Sequence, residues 1–178
     1  IDSLGVFSYP RFFGNAPADT GFQFAVKPIF FETSVKFLLE TKEIQVRTLP
    51  VAGYQTLDHL LPMTQLDSNH FFTVLELDTG TTHQVFFRLG DREKKITFSG
   101  ETVDPNRDEW VRSDDENLRV FFPRGSLFHK TFVHLERVDL KESREEIISP
   151  VFQISPFDVP VASSVDAVIK FNKDTPHT

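Results

Sequence analysis

The stretch that decides the fold runs from Asn117 to Pro156. It begins Asn-Leu-Arg-Val-Phe-Phe-Pro-Arg-Gly-Ser-Leu-Phe and ends Ile-Ser-Pro-Val-Phe-Gln-Ile-Ser-Pro. Leu118, Val120 and Phe122 fall on one side of an extended chain because side chains alternate along a strand. The Pro-Arg-Gly that follows marks a turn. Strand, turn, strand, charged loop and strand follow one another with no residue placed for chemistry. This pattern predicts an antiparallel β-sandwich and favours a binding or spacer module over an enzyme.

The rest of the chain repeats the same pattern of short apolar runs separated by Gly, Pro, Asn or Asp, which indicates an all-β fold. The predicted strands are Gly5–Tyr9, Phe22–Phe30, Val35–Glu40, Glu43–Leu49, His70–Leu77, Thr82–Leu89, Lys94–Ser99, Leu118–Phe122, Thr131–Val138, Ile147–Ile154 and Val165–Phe171. Only residues 54–67 have a sequence that could hold a short helix, with Thr56 as its cap and Pro62 at its end. Asp78-Thr-Gly80-Thr is typical of a hairpin turn, so residues 70–99 are predicted to form a three-stranded meander.

The domain organisation depends on residues 101–116, which are polar and acidic and contain Pro105. They are interpreted as a connector between an N-terminal β-sandwich, residues 1–103, and a C-terminal Ig-like β unit, residues 104–178. The second unit has four strong strands, fewer than the roughly seven of a complete sandwich. Either it continues beyond this sequence or both halves form one larger sandwich. Two Ig-like sandwich units in tandem are the favoured interpretation.

Composition narrows the classes of function. The formal net charge is -7 and no Lys/Arg run exceeds two residues, so nucleic acid is not expected as a partner. Cys is absent, which excludes disulfides and thiolate metal sites. No apolar run reaches the roughly 18 to 20 residues of a membrane helix, so no membrane insertion is expected. The chain has 20 Phe against 2 Tyr and 1 Trp, a balance that favours core building over sugar stacking.

Three short motifs follow one another along residues 123–156. They are Pro123 with Gly125 and Ser126 after a strand, then Ser149-Pro150-Val151, and then Ser155-Pro156. On these motifs, residues 117–171 resemble the β-rich spectrin-binding module of ankyrins and netrin receptors. They resemble more closely its bacterial relatives, the Ig-like modules appended to secreted or periplasmic proteins such as LytM-type metallopeptidases. A Lys-Pro-Val expected before the last strand appears here as Ser163-Ser-Val. The resemblance implies an accessory β-domain of an extracytoplasmic protein.

One segment has the spacing of a calcium loop. Asp104, Asn106 and Asp108 stand at alternate positions, as oxygen ligands around one Ca²⁺ often do. An EF-hand loop would need Gly at its sixth position and Glu at its twelfth, where this chain has Glu109 and Asp115. The competing interpretation is a solvated acidic linker, and it is favoured because the motif is permissive.

Enzymatic motifs are missing from the sequence. It has no Gly-x-Ser-x-Gly, no His-Glu-x-x-His and no glycine-rich phosphate loop. Phe doublets recur, at residues 12–13, 30–31, 71–72, 86–87 and 121–122. Neighbours on a strand face opposite sides, so each doublet places Phe on both faces of its sheet. The second face is expected to pack within the polypeptide; an exposed patch that grips a partner is the alternative.

The resulting hypothesis is a non-catalytic accessory, adhesion or protein-interaction module of a larger bacterial protein that is secreted, periplasmic or at the cell surface. Its partners would be neighbouring domains or another protein, and no cofactor is expected. The rival hypothesis is a carbohydrate-binding β-sandwich. In that rival, Trp110, Tyr54 and Tyr9 supply the stacking surfaces, and the loop of residues 104–108 holds Ca²⁺.

Overall fold

A computed structural model of the protein describes residues 24–42, 49–77, 82–138 and 150–170. Within these ranges the chain is all-β, and none of the described residues forms a helix that could cross a membrane. The strands of the described residues are β1 Phe24–Phe30, β2 Ser34–Thr41, β3 Val51–Tyr54, β4 Leu60–Leu61, β5 Thr64–Gln65, β6 His70–Glu76, β7 Thr82–Leu89, β8 Arg92–Ser99, β9 Glu101–Val103, β10 Glu109–Arg112, β11 Leu118–Phe122, β12 Thr131–Val138, β13 Val151–Ser155 and β14 Asp166–Ile169. The predicted strands Gly5–Tyr9 and, except for its last residue, Glu43–Leu49 lie outside the described residues, as does Tyr9.

The first eight strands form two antiparallel sheets, which we call the first sheet pair. One sheet has the order β1-β2-β6-β5 and the other β4-β3-β7-β8. Their inner faces share one apolar core, because alternate residues of each strand point inward. The core side chains are Val35, Phe37, Leu39, Ala52, Phe71, Leu75, Val85, Phe87, Phe98 and Phe132. Phe132 belongs to β12, which lies outside these sheets.

The last six strands form a second sheet pair, with the orders β10-β11-β14 and β13-β12-β9. A separate apolar core lies between them, made of Val103, Val111, Leu118, Val120, Phe122, Leu127, Val133 and Leu135. The predicted turn after β11 is confirmed: the Ser126 N–H donates to the Pro123 carbonyl at 2.9 Å, and Gly125 has φ +76°. That positive φ favours glycine.

The predicted meander over residues 70–99 was wrong in its first half. β7 and β8 form the expected hairpin, but β6 pairs with β2 and β5 in the opposite sheet. The chain therefore crosses from one sheet to the other between residues 77 and 82 instead of folding back. The predicted turn at residues 78–81 lies outside the described residues.

The predicted connector and the possible helix were also wrong. Residues 101–116 contain β9 and β10, and their Val103 and Val111 side chains are each 1% exposed in the second core. Residues 55–59 form a turn closed by the Tyr54 N–H on the His59 carbonyl at 2.9 Å, and the short strands β4 and β5 follow. A bend at Gln55, with φ +62°, starts this turn where a helix would need right-handed backbone.

Candidate functional site

The two sheet pairs meet at a group of aromatic rings, which we call the aromatic junction: Phe30, His83, Phe98, Phe132 and His134. The Phe132 ring lies 6.4 Å from Phe30, 6.3 Å from Phe98 and 5.5 Å from His83, measured between ring centroids. The His134 ring stacks on Phe30 at 4.6 Å. Contacts at these distances and tilts are favourable for aromatic rings. A side chain from β12 is thus built into the first core, and it joins the two sheet pairs.

Backbone contacts fix the same junction. β8 runs into β9 with only Gly100 between them, and a Cβ at Gly100 would stand 2.5 Å from the Phe132 ring and 2.5 Å from the Val133 carbonyl oxygen. Glycine is therefore required here by close approach. On the other side, the Phe132 N–H donates to the Glu32 carbonyl at 2.7 Å. The turn between β1 and β2 is held against β12 in this way.

This held turn forms one wall of a cleft between the sheet pairs, which we call the acidic cleft. It is lined by Phe31, Glu32, Thr33, Asp158 and Val159 and has a volume of about 330 Å³. The wall formed by Phe31, Glu32 and Thr33 is held by two backbone hydrogen bonds of 2.8 Å. The Phe31 N–H donates to the Ser34 carbonyl, and the Leu77 N–H donates to the Thr33 carbonyl. The opposite wall is the loop that follows β13.

The acidic cleft combines exposed phenyl rings with carboxylates. The Phe31 side chain is 42% exposed and that of Phe157, next to the lining residue Asp158, is 75% exposed. Within the described residues, the side chains of Glu32 and Asp158 have neither an ion pair nor a hydrogen bond. Such a site attracts cations through the carboxylates and through the negative faces of the rings.

The other Phe doublets leave no comparable surface in the described residues. Phe71, Phe87 and Phe122 face the cores, and their partners in the doublets lie on the outer faces. There a cation from a neighbouring strand covers the ring: the Lys36 ammonium lies 4.2 Å from the Phe72 centroid, and the Lys95 ammonium lies 5.5 Å from that of Phe86. The outer rings of Phe72 and Phe86 are therefore partly shielded by lysine side chains within the same sheet.

Trp110 lies on the outer face of the β10-β11-β14 sheet and is 43% exposed. Its ring contacts Phe121, the residue opposite it on β11, at a centroid distance of 4.9 Å. The guanidinium carbon of Arg119 lies 5.4 Å from the Trp110 ring. Arg112 is the residue opposite Arg119 in the same register. We call these four side chains the Trp110 face.

The structure does not bring Tyr54, another predicted sugar-stacking residue, to Trp110. Tyr54 is on β3 of the first sheet pair, half-buried, with its hydroxyl 3.0 Å from Nδ1 of the buried His83. Its ring packs against the first core. Tyr9 lies outside the described residues. Trp110 and Tyr54 therefore serve different parts of the molecule.

In the predicted calcium loop, local hydrogen bonds engage both carboxylates. Asp104 Oδ1 accepts from the backbone N–H of Asn106 at 2.9 Å and from its side-chain amide at 3.0 Å. These bonds, the backbone one foremost, hold the pKa of Asp104 below its ordinary value. Asp108 Oδ1 accepts from the Arg124 N–H at 2.7 Å, which ties the loop to the turn after β11. Among the described residues, no group of three or more His, Asp or Glu is placed to hold a metal ion.

One cluster of polar groups lies beside the aromatic junction. His134 Nδ1 is 2.5 Å from the Ser99 carbonyl oxygen, and its Nε2 is 3.7 Å from a Glu136 carboxylate oxygen. The Ser99 hydroxyl donates to Asp114. An activated serine needs its hydroxyl on an imidazole nitrogen. Here the hydroxyl is on a carboxylate and the imidazole is enclosed by rings, so the cluster has the geometry of a structural network.

Sequence reasoning missed the acidic cleft because its walls come from residues more than a hundred positions apart. A local signal was present in Pro156-Phe-Asp-Val-Pro160, where an apolar ring stands in a proline-bounded loop. Such a ring has no strand neighbour to cover it. The paired arginines of the Trp110 face were missed because residues 109–112 were interpreted as part of a connector.

Comparison with known proteins adds no relative: no family model, no curated protein and no solved structure matches this chain.

Proposed function

We propose that this protein is a non-catalytic accessory module of a larger extracytoplasmic polypeptide, and that it binds a cationic segment of a protein partner in the acidic cleft. The observation that carries the proposal is the cleft itself: two carboxylates without partners among the described residues line it together with the exposed Phe31 ring. Arginine and lysine side chains suit such a site, because each combines an apolar stem with a charged end.

The Ig-like character of the module is supported by the strand order of the first sheet pair. An immunoglobulin sandwich has strands A, B, E and D in one sheet and C, F and G in the other. The orders β1-β2-β6-β5 and β3-β7-β8 correspond to these, with β4 added beside strand C. Phe37 on the second strand contacts Phe87 on the seventh at 5.3 Å, where antibody domains join strands B and F with a disulfide.

A role in presenting surfaces, without catalysis, is supported by the aromatic junction. A ring from β12 is 1% exposed inside the first core, and the chain at Gly100 approaches β12 so closely that an added Cβ would clash with it. One wall of the cleft, the turn between β1 and β2, is tied to β12 by the hydrogen bond from the Phe132 N–H to the Glu32 carbonyl. A site formed in advance loses less conformational entropy on binding. The extracytoplasmic setting rests on the resemblance of residues 117–171 alone.

The proposal is tested with a displayed library of random decapeptides selected against the whole chain. We expect enrichment of peptides that carry Arg or Lys beside an apolar residue. The double substitution Glu32→Gln and Asp158→Asn should abolish the enrichment, because the charges are removed and the shape is kept. The matched control is Glu101→Gln with Asp91→Asn, two exposed carboxylates elsewhere on the chain. Enrichment of acidic peptides, or equal enrichment by the double variant, would contradict the proposal.

A further inference from the structure

The Trp110 face contains two arginines whose placement has a cost. Arg112 and Arg119 are opposite each other on neighbouring antiparallel strands, so their Cβ atoms are about 5 Å apart. Like charges directly opposite each other destabilise a sheet. Within the described residues neither has an ion pair, although the chain as a whole has a net charge of -7. A cationic pair is thus kept on an outer sheet face of an acidic protein.

Arg119 is also held in place. Its guanidinium lies over the Trp110 ring, and its Nε is buried without a hydrogen-bond partner. A guanidinium has five N–H donors in a fixed plane and matches a carboxylate with two parallel bonds. Contact with the indole holds the guanidinium at the Trp110 face. The nearest acid in the register is Asp166, opposite Phe121 and one diagonal step from Arg119, and it forms no ion pair with Arg119.

From this arrangement we propose that the Trp110 face binds an acidic polysaccharide, with a uronate carboxylate on the arginine pair and a sugar ring on the indole. The charge of the arginines selects an anion. The indole is 43% exposed beside the guanidinium, and its exposed π surface favours a sugar, because the C–H groups of a pyranose carry a partial positive charge that complements it. Trp110 and Phe121 together extend the apolar surface across two strands. The inference does not depend on the acidic cleft, which lies elsewhere and has the opposite charge.

The single Trp of the chain reports on this face directly, so intrinsic fluorescence is the assay. The probe is a tetramer of galacturonic acid, titrated into the whole chain, and the paired probe is the same tetramer with its carboxylates methyl-esterified. We expect a saturable change in emission with the acid form and none with the ester. Added salt should weaken binding, because the contact is ionic.

Variants separate the parts of the site. Arg119→Gln should weaken binding by roughly tenfold or more, since charge-assisted hydrogen bonds are lost. Arg119→Lys should recover only part of the affinity, because lysine lacks the planar fork. The control is Arg92→Gln, which replaces an exposed arginine of β8 and should leave binding unchanged.

Three outcomes would overturn the inference: no saturable change with the acid form, an equal response to the ester, or stronger binding of a glutamate oligopeptide than of the sugar. The last would assign the face to acidic proteins. Circular dichroism of each variant confirms that a loss of binding is not a loss of fold.

Discussion

Replacing Phe132 by Ala tests whether one side chain joins the two sheet pairs. Phe132 is 1% exposed and contacts Phe30, Phe98 and His83 in the first core, while its backbone belongs to β12 of the second sheet pair. Buried Phe→Ala substitutions cost roughly 3–5 kcal/mol. The Gly100 backbone contacts the ring and cannot fill the cavity that the substitution leaves. We therefore expect the free energy of unfolding to fall by about 4 kcal/mol.

The assay is urea unfolding followed by two signals. Trp110 fluorescence reports on the second sheet pair only, and far-ultraviolet circular dichroism reports on both. If the free energy of unfolding falls with urea by about 2 kcal/mol per molar, this loss of stability lowers the urea midpoint by about 2 M. In Phe132→Ala the dichroism transition should begin at lower urea than the fluorescence transition, because the damaged core belongs to the first sheet pair.

The control is Phe122→Ala, the same chemical change in the second core, where the side chain is 4% exposed. In that variant the fluorescence transition should come first. The reasoning fails if Phe132→Ala shifts the midpoint by less than about 0.5 M, or if both variants lose fluorescence first, because the Phe132 ring would then not support the first core.

Three further predictions follow from single contacts. Gly100→Ala should destabilise the protein by about 3 kcal/mol or more, because the added Cβ overpacks the site. Gly90 lies in open space with φ +61°, so Gly90→Ala should cost only about 1–2 kcal/mol through backbone strain. The urea midpoints of the two variants measure the difference. The His134 imidazole, whose Nε2 is 3.7 Å from a Glu136 carboxylate oxygen, lowers the pKa of Glu136 from 4.5, so the stabilisation from this contact is present above that value and lost as pH falls through the lowered pKa. Glu136→Gln should therefore flatten the acid side of a midpoint-against-pH curve, and an unchanged curve would count against the contact. Tyr54→Phe should cost about 1 kcal/mol, because it removes the hydroxyl from a buried imidazole, and thermal unfolding measures it.

The sequence predicted the fold class and most strands because their burial alternates. The predicted bounds of Leu118–Phe122 and Thr131–Val138 are those of β11 and β12, and β11 alternates buried and half-buried residues along its length. β10 was missed because Val111 is its single buried residue and lies between the exposed Trp110 and Arg112. Residues 101–116 hold two buried apolar side chains, Val103 and Val111, which are too few to show an alternating pattern.

Strand neighbours could not be read from the same pattern. β6 and β7 both alternate, and alternation is identical whether two strands pair side by side or face each other across a core. β2 and β5 pair with the two edges of β6, so neither edge is left for β7. The candidate sites were hidden for a related reason, since the acidic cleft and the arginine pair exist only once distant residues are brought together.

The placement of Phe132 also bears on how the chain folds during synthesis. A ribosome releases β1 to β8 first, yet the core they enclose includes a ring that emerges well after β8 ends at Ser99. Until then the nascent N-terminal half would expose Phe30 and Phe98 to water and to chaperones. Contacts between residues far apart in the chain form late. We therefore expect a truncation just after β9 to express as an aggregation-prone species, and a truncation after β12 to be the shortest N-terminal piece whose first core is complete.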